Sequence, residues 1–351
     1  MHKNYKRIGG GLKGQGLFEQ IYSLENLRIA FENFRYGKTK KPDVIAFSKN
    51  AKKELYSIYD HLRRKSYKHG SYETFYIQDP KLRKINKATA RDRVLHHAVF
   101  RKIYPIFDQA FIFDSYSCRV GKGTHRGVKR LQEFFKKESK NNSRLCWVLK
   151  CDIKKFFDNI DHEILLRLVA RRIKDENVLW LVDIIINSFK KGLPLGNITS
   201  QVFANIYLHE LDLFIKHHLK AKYYIRYCDD FVILNVDKKY LENIIVKIND
   251  FLIGKLKMSL HPNKISISNY RQGIDFLGYV SFPYHTILRP KTKKRMFRKI
   301  GLKLLSLEKG SLNKDSFKQT MQSYLGMLKH CNSVKIKGLL WKTLDKVIEI
   351  K

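Results

Sequence analysis

Acidic residues are scarce in this chain. Of 351 residues, 32 are Asp or Glu against 70 Lys or Arg, a formal net charge of +38. An excess of that size goes beyond what solubility requires and implies a polyanionic partner, either nucleic acid or an anionic membrane surface. Cysteine is scarce too: five residues, at 118, 146, 151, 228 and 331, with no CxxC spacing. That odd, scattered set argues against a zinc site or a disulfide framework and fits a reducing, cytoplasmic setting. Long apolar runs are missing. The best candidate, VLWLVDIII, is broken by Asp183 and falls short of the roughly 18 residues a membrane span needs, so no membrane insertion is expected. The opening MHKNYKRIGGGLKGQG lacks the apolar stretch of a secretory signal.

What is present can build a core. Hydrophobic residues make up 44% of the chain, which argues against disorder, and the length suggests about two domains. Residues 1–16 read as a mobile basic arm, whose glycines follow no strand and so form no phosphate loop. Ser23 to about Tyr67 is helical, with two amphipathic basic stretches. TFYIQ (74–78) and LRKIN (82–86) flank Asp79-Pro80 and read as a hairpin. Arg91–Ile103 returns to helix, and 115–124 is a loop with Gly121 and Gly123.

The centre alternates strand and helix. LCWVLKCDI (145–153) has the apolar density of a buried strand, and helices follow at about 161–173, 175–189 and 199–219. KYYIRY (222–227) and FVILN (231–235) are strands separated by Cys228-Asp229-Asp230; a helix over 238–256 and a strand FLGYVSF (276–282) come next. After Pro290 the chain is Lys-rich and helical. The expected division is 1–70 (basic arm and helices), 71–285 (mixed α/β) and 286–351 (helical and basic).

Two acidic places stand out against this background: Asp152 at the end of an apolar strand, and the Asp229-Asp230 pair between two apolar strands. A carboxylate beside buried strands is costly unless it is paired or holds a metal. Taken singly, each has an ordinary explanation, Asp152 as a helix cap or lysine partner and the pair as a solvated turn. Taken together, strands lying side by side would gather hard oxygens suited to Mg²⁺. Two such ions about 3.5–4 Å apart stabilise both the attacking and leaving oxygens of a phosphoryl displacement.

These residues resemble a known family. YCDD between apolar strands resembles the catalytic hairpin of reverse transcriptases, and CDIKKFFDNI their first carboxylate motif. LPLGNITSQ (193–201) is similar to the nucleotide-pocket motif, HPNK (261–264) to the lysine-bearing motif and FLGY (276–279) to the primer grip. The resemblance implies an α+β right-hand polymerase of fingers, mixed α/β palm and helical thumb. It further implies an RNA-directed DNA polymerase using two Mg²⁺ ions, dNTPs, an RNA template and the RNA–DNA hybrid. QDPKLRKI, DRVLHHA, FDSYSCRVGKGTH and the Ser200-Gln201 ending are most similar to the enzymes of diversity-generating retroelements. In that group Leu195 stands where accurate enzymes carry glutamine, which implies error-prone synthesis. A cognate structured RNA and a small basic accessory protein are implied partners.

The resemblance carries roles onto individual positions. Asp152, Asp229 and Asp230 would be catalytic and, with Ile153, hold the metals. Phe157 would be the steric gate under the sugar, Lys155 and Phe156 would offer amides to the triphosphate, and Arg83 would grip its β- and γ-phosphates, with Lys84, Lys87 and Arg91 as rivals. Leu195, Gly196 and Lys264 complete the nucleotide set, Lys264 as proton donor to pyrophosphate. Arg119, Ser200, Gln201, Phe276, Leu277, Gly278 and Tyr279 would contact template or primer. The basic helix RPKTKKRMFRKIGLKLL would track the duplex backbone. Two other readings stay open: an antiviral-defence reverse transcriptase with a dedicated non-coding RNA, and a non-catalytic RNA-binding protein.

Overall fold

The computed structural model describes residues 16–78 and 82–349. The expected basic arm, Gly16 apart, and the Asp79-Pro80 turn lie outside the described residues. Four helices come first: α1 (Leu17–Tyr22), α2 (Leu24–Arg35), α3 (Pro42–Lys49) and α4 (Ala51–Arg63). Local signals set the breaks. The Ser23 side chain caps α2 by accepting from the Asn26 amide, and Pro42 opens α3 where its missing N–H costs nothing.

β1 (Tyr72–Gln78) and β2 (Leu82–Ala88) form the expected antiparallel hairpin, Tyr72 opposite Ala88 and Gln78 opposite Leu82. Thr89 caps α5 (Ala90–Asp108), which runs through Pro105, beyond the expected end at Ile103. Then come α6 (Thr124–Glu138), β3 (Trp147–Asp152), α7 (His162–Ala170), α8 (Glu176–Asn187) and α9 (Ile198–Leu213). β4 (Tyr223–Tyr227), β5 (Asp230–Asn235), α10 (Lys238–Leu256) and β6 (Ser266–Asn269) complete the centre.

The central sheet is antiparallel, in the order β4-β5-β3-β6. Both faces are covered. Leu149, Cys151, Tyr224, Phe231 and Ile233 enter the main core with α9 and α10. Val148, Tyr223, Ile225, Val232 and Leu234 enter a second core with Leu131, Phe134 and Phe135 of α6. Alternate residues of a strand point to opposite faces, so a sheet covered twice reads as nearly continuous apolar sequence.

One strand assignment is corrected. The sequence reads 276–282 as a single strand, whereas the chain folds there into β7 (Ile274–Phe276) and β8 (Tyr279–Ser281). Leu277 (φ +53°) and Gly278 (φ +86°) form the two-residue turn between them, both left-handed as the tightest hairpins require. A leucine in a position that usually takes Asn or Gly hid the turn. β9 (Thr286–Leu288) pairs with β8 and closes this small sheet.

Three helices follow: α11 (Pro290–Glu308), α12 (Lys314–Leu328) and α13 (Val334–Glu349). Met296, Ile300, Phe317, Met321 and Leu328 form their core, which extends to Tyr279 and Leu288 of the small sheet. The Tyr279 hydroxyl donates to the Met327 carbonyl at 2.9 Å, tying the two together. Among the described residues no helix is long and apolar enough to cross a membrane.

Candidate active site

Register brings the two acidic places together. β3 and β5 align so that Asp152 stands directly opposite Asp230. Opposed residues of an antiparallel pair hold their Cβ atoms about 4.5–5.5 Å apart. The Ile153 amide donates to the Asp229 carbonyl at 3.2 Å, carrying the ladder into the turn. Cys228 makes that turn possible by adopting φ +56°, a conformation that costs an L-residue roughly 1–2 kcal/mol.

The electrostatics are first those of burial and then of crowded like charge. Burial pushes Asp230 up to about 6, with Lys150 opposing and Asp152 and Asp229 adding to the rise. Burial, then Asp152, raises Asp229 as well. Two ammonium groups offset part of the charge: Lys264 Nζ lies 2.7 Å from Asp152 Oδ1, and Lys150 Nζ 3.6 Å from Asp230 Oδ2. Asp230 Oδ1 is buried and has no hydrogen-bond partner among the described residues. Among the described residues no three acidic, histidine or cysteine side chains close by themselves around a cation. Magnesium does not need them to: it takes one or two carboxylates and completes its octahedron with phosphate and water. The orphaned oxygen beside two further carboxylates fits that demand.

The turn that carries Asp229 and Asp230 is propped from below. Arg226 and Asp212 are both fully buried, with Arg226 Nη2 2.6 Å from Asp212 Oδ2 and Nε 2.7 Å from Oδ1. Tyr224 adds a hydroxyl bond to Asp212 at 2.7 Å. The remaining arm of the guanidinium donates to the Cys228 carbonyl at 3.1 Å and to Asn205 Oδ1 at 3.2 Å. α9 thus anchors the strained turn through a buried, bidentate ion pair.

The pocket motif sits beside the first carboxylate motif. The Leu193 amide donates to the Phe157 carbonyl at 2.8 Å. Gly192 (φ +68°) allows this approach, because a Cβ there would run into Phe157 and lie 2.8 Å from Asp158 Cα. Phe157 is half-buried and stacks edge-on against the buried Phe156, ring centroids 5.1 Å apart. Lys155 turns the chain at φ +45°. The Leu195 carbonyl accepts from Asn86 of β2 at 3.2 Å, and a Cβ on Gly196 would lie 3.3 Å from Ile85 Cγ2. Arg83 is exposed and shares its strand face with Ile85, the residue that meets Gly196. Its rival Lys87 is committed to Asp43 and Glu73 at 2.9 and 3.0 Å.

Ser200 is buried inside α9, whereas Gln201 is exposed. Phe276 and Tyr279 are buried, leaving Leu277 and Gly278 as the half-exposed tip of their hairpin. Lys150 bridges that hairpin to the acidic pair, donating to the Asp275 carbonyl at 2.6 Å. Arg119 does not present its guanidinium to solvent. It is buried, 2.6 Å from Asp108 Oδ1, and donates to the carbonyls of Asp108, Ile112 and Ser115. Its place in the structure is to organise the loop after α5.

Residues 67–281 match the family described as reverse transcriptase (RNA-dependent DNA polymerase), more than half of the chain. The chain belongs to the reverse transcriptase family. It is 26% identical over 255 residues to protein YkfC of Escherichia coli strain K12, covering 61% of this chain and 65% of that protein. It is 27% identical over 271 residues to the group II intron-encoded protein LtrA of Lactococcus lactis, covering 57% and 44%. An uncharacterised 91 kDa protein in the cob intron of Schizosaccharomyces pombe is 25% identical over 264 residues, covering 56% and 32%. The chain therefore spans less than two thirds of the length of these relatives. Among solved structures it is similar to Candida albicans telomerase in complex with a TWJ fragment of telomeric RNA (TM-score 0.49, 11% identity, 81% and 58% covered). It is also similar to apo telomerase of Candida tropicalis (TM-score 0.45, 14% identity, 65% and 49% covered). The fold is the α+β right-hand polymerase of the family, with an antiparallel central sheet, the β1–β2 hairpin and a helical C-terminal part.

Sequence reasoning missed the support beneath the site. Arg226, Asp212, Asn205 and Gly192 were not singled out. One signal was available: Arg226 stands between Ile225 and Tyr227 in a strand otherwise without charge, and Asp212 interrupts the apolar face of a helix. A charge in each of two buried elements calls for a partner.

Proposed function

We propose that this chain is an RNA-directed DNA polymerase, extending a primer on an RNA template with dNTPs. The observation that carries the reading is the Asp152–Asp230 register, with Asp229 beside it and an unpaired buried oxygen on Asp230. In this reading Asp152, Asp229 and Asp230, with Ile153, hold magnesium. A pair of magnesium ions supplies activation of an oxygen nucleophile and neutralisation of phosphoryl charge. The chain's own groups do the positioning. Arg83 and the amides of Lys155 and Phe156 hold the triphosphate, and Phe157 lies under the sugar and excludes a 2′-hydroxyl. The Leu277-Gly278 turn steadies the primer end. Lys264, already against Asp152, delivers a proton to the leaving pyrophosphate. Primer extension on a short RNA template with dNTPs or rNTPs tests this. Extension with dNTPs alone is expected; none with either would leave an RNA-binding protein.

Within that activity we assign the chain to a diversity-generating retroelement, working with a cognate structured RNA and a small basic accessory protein. Leu195 and the Ser200-Gln201 ending support the assignment, and the apolar Leu195 beside the nucleotide pocket implies frequent misincorporation. Sequencing the cDNA of wild type and Leu195→Gln should show fewer errors in the variant. Equal error rates would remove the link, and a gene standing beside a structured RNA without paired repeats would favour the antiviral reading.

A further inference from the structure

A second aromatic and basic site lies at the opposite end of the β7–β8 hairpin from the Leu277-Gly278 turn. A cleft of about 470 Å³ opens there, lined by Asn142, Tyr270, Arg271, Phe282, Tyr284 and His285 among others. None of its lining residues is acidic. Tyr284 is 83% exposed. A lone exposed aromatic needs no explanation, but this one stands on a built platform.

Three features hold the platform rigid. The Phe282 amide donates to the His285 carbonyl at 2.8 Å, closing the loop, and the two rings stack with centroids 4.8 Å apart and 13° between planes. Gln132 of α6 clamps the loop from outside, its amide donating to the Phe282 carbonyl at 3.1 Å and to Thr286 Oγ1 at 2.8 Å. Gly273 (φ +86°) provides the seat for Phe282, since a Cβ there would lie 2.6 Å from the ring. The opposite wall is equally fixed. Lys140, Asn141 and Asn142 are three consecutive left-handed residues, a costly run. Asn142 Oδ1 accepts from the Tyr270 hydroxyl at 3.2 Å and from Ser139 Oγ at 3.4 Å, which orients the amide so that Nδ2 is left as a donor. Arg271 donates one arm to the Asn142 carbonyl at 3.3 Å and is otherwise exposed. Lys136, Lys137 and Lys140 are exposed on the turn that leads into Asn142, where the Asn141 amide donates to the Lys136 carbonyl at 2.7 Å.

We propose that this cleft binds an unpaired base of a single-stranded nucleic acid outside the catalytic channel. The base stacks on Tyr284, the Asn142 amide donates to its edge, and Arg271 with the nearby lysines meets the adjoining phosphates. Ring stacking with a cationic rim is the usual chemistry of single-strand recognition. Preorganisation by Gln132 and Gly273 lowers the ordering cost on binding. The proposal does not rest on polymerase activity, because an inactive chain would still carry the cleft.

The test uses the full chain and fluorescein-labelled 12-mers of oligo(U) and oligo(dT), with an RNA duplex of equal length and AMP as comparisons. A saturating hairpin primer–template occupies the catalytic channel throughout. Tyr284→Ala should weaken binding of a single-stranded 12-mer about tenfold, and Tyr284→Trp should restore it. Duplex binding and extension of the primer–template should stay unchanged in both variants. A 5-iodouridine 12-mer should crosslink at 282–285. The RNA and DNA arms show which strand the cleft prefers, and either preference supports the proposal. Unchanged 12-mer affinity in Tyr284→Ala would overturn it. So would crosslinks confined to other segments, binding of AMP but of neither oligomer, or a Tyr284-dependent change only in self-association of the protein.

Discussion

The buried Arg226–Asp212 pair offers a way to separate holding the Asp229-Asp230 turn, catalytic in the proposed function, from holding the fold. Both side chains are fully buried, so solvent does not screen them. Removing Arg226 alone leaves Asp212 with the Tyr224 hydroxyl as its remaining side-chain donor. Breaking a buried pair from one side costs about 3–5 kcal/mol, a large part of the roughly 5–15 kcal/mol that holds a domain together. Arg226→Met is therefore expected to melt far below wild type, and its lost activity would be uninformative. Replacing both partners, as Arg226→Met with Asp212→Leu, removes both charges and should recover most of that stability. Adding Tyr224→Phe removes the hydroxyl that Asp212→Leu would otherwise leave without its acceptor. What this combined variant cannot recover is the 3.1 Å bond to the Cys228 carbonyl and the 3.2 Å bond to Asn205 Oδ1. A hydrogen bond from a charged donor is worth about 1.5–3 kcal/mol, comparable to the roughly 1–2 kcal/mol cost of a left-handed Cys228. The turn should loosen, and a displacement near 1 Å at a catalytic group can cost about a hundredfold in rate. Thermal melting and single-nucleotide extension on the same preparations decide the matter. A combined variant with near-wild-type melting and a strongly reduced extension rate is expected. Near-wild-type melting together with wild-type extension would refute the positioning role.

Two further outcomes follow from local geometry. Gly196→Ala places a Cβ 3.3 Å from Ile85 Cγ2 at φ +122°, at a strain cost of about 1–3 kcal/mol. Its expected signature is a raised KM for dNTP with little change in RNA binding, read by steady-state extension. Acid should loosen α5. Burial holds His97 down at about 3 and lowers His96 strongly as well. Folding thus favours the neutral rings, so stability is intact above about pH 6.5 and is lost as pH falls from there, by about 1.4 kcal/mol per pH unit for each group. Melting curves from pH 7.5 to 5 should show the decline, with a shallower slope in His97→Gln.

The central sheet was legible because its strands are covered on both faces and bounded by turn residues. Asp152, Asp229 and Asp230 stood out as carboxylates where apolar sequence should continue, and the β3–β5 register placed two of them opposite each other. Less visible were features whose meaning depends on contacts distant in sequence. Leu277 conceals a hairpin turn because its φ is set by pairing of β7 with β8, not by its own preference. The family resemblance made Arg119 a template contact, and nothing in its local sequence tells that Asp108 and three carbonyls surround its guanidinium. Gly192 was passed over because its constraint lies in Phe157, far along the chain.

The central claim, three carboxylates assembled for catalysis at a cost to the fold, is tested most directly by Asp229→Asn. The substitution removes one of the crowded like charges that, after burial, raise Asp230. The account expects primer extension on RNA to vanish, RNA affinity to hold, and the melting temperature of metal-free protein to stay equal or rise. Sustained extension by a clean Asp229→Asn preparation, or a collapse in melting temperature, would contradict it.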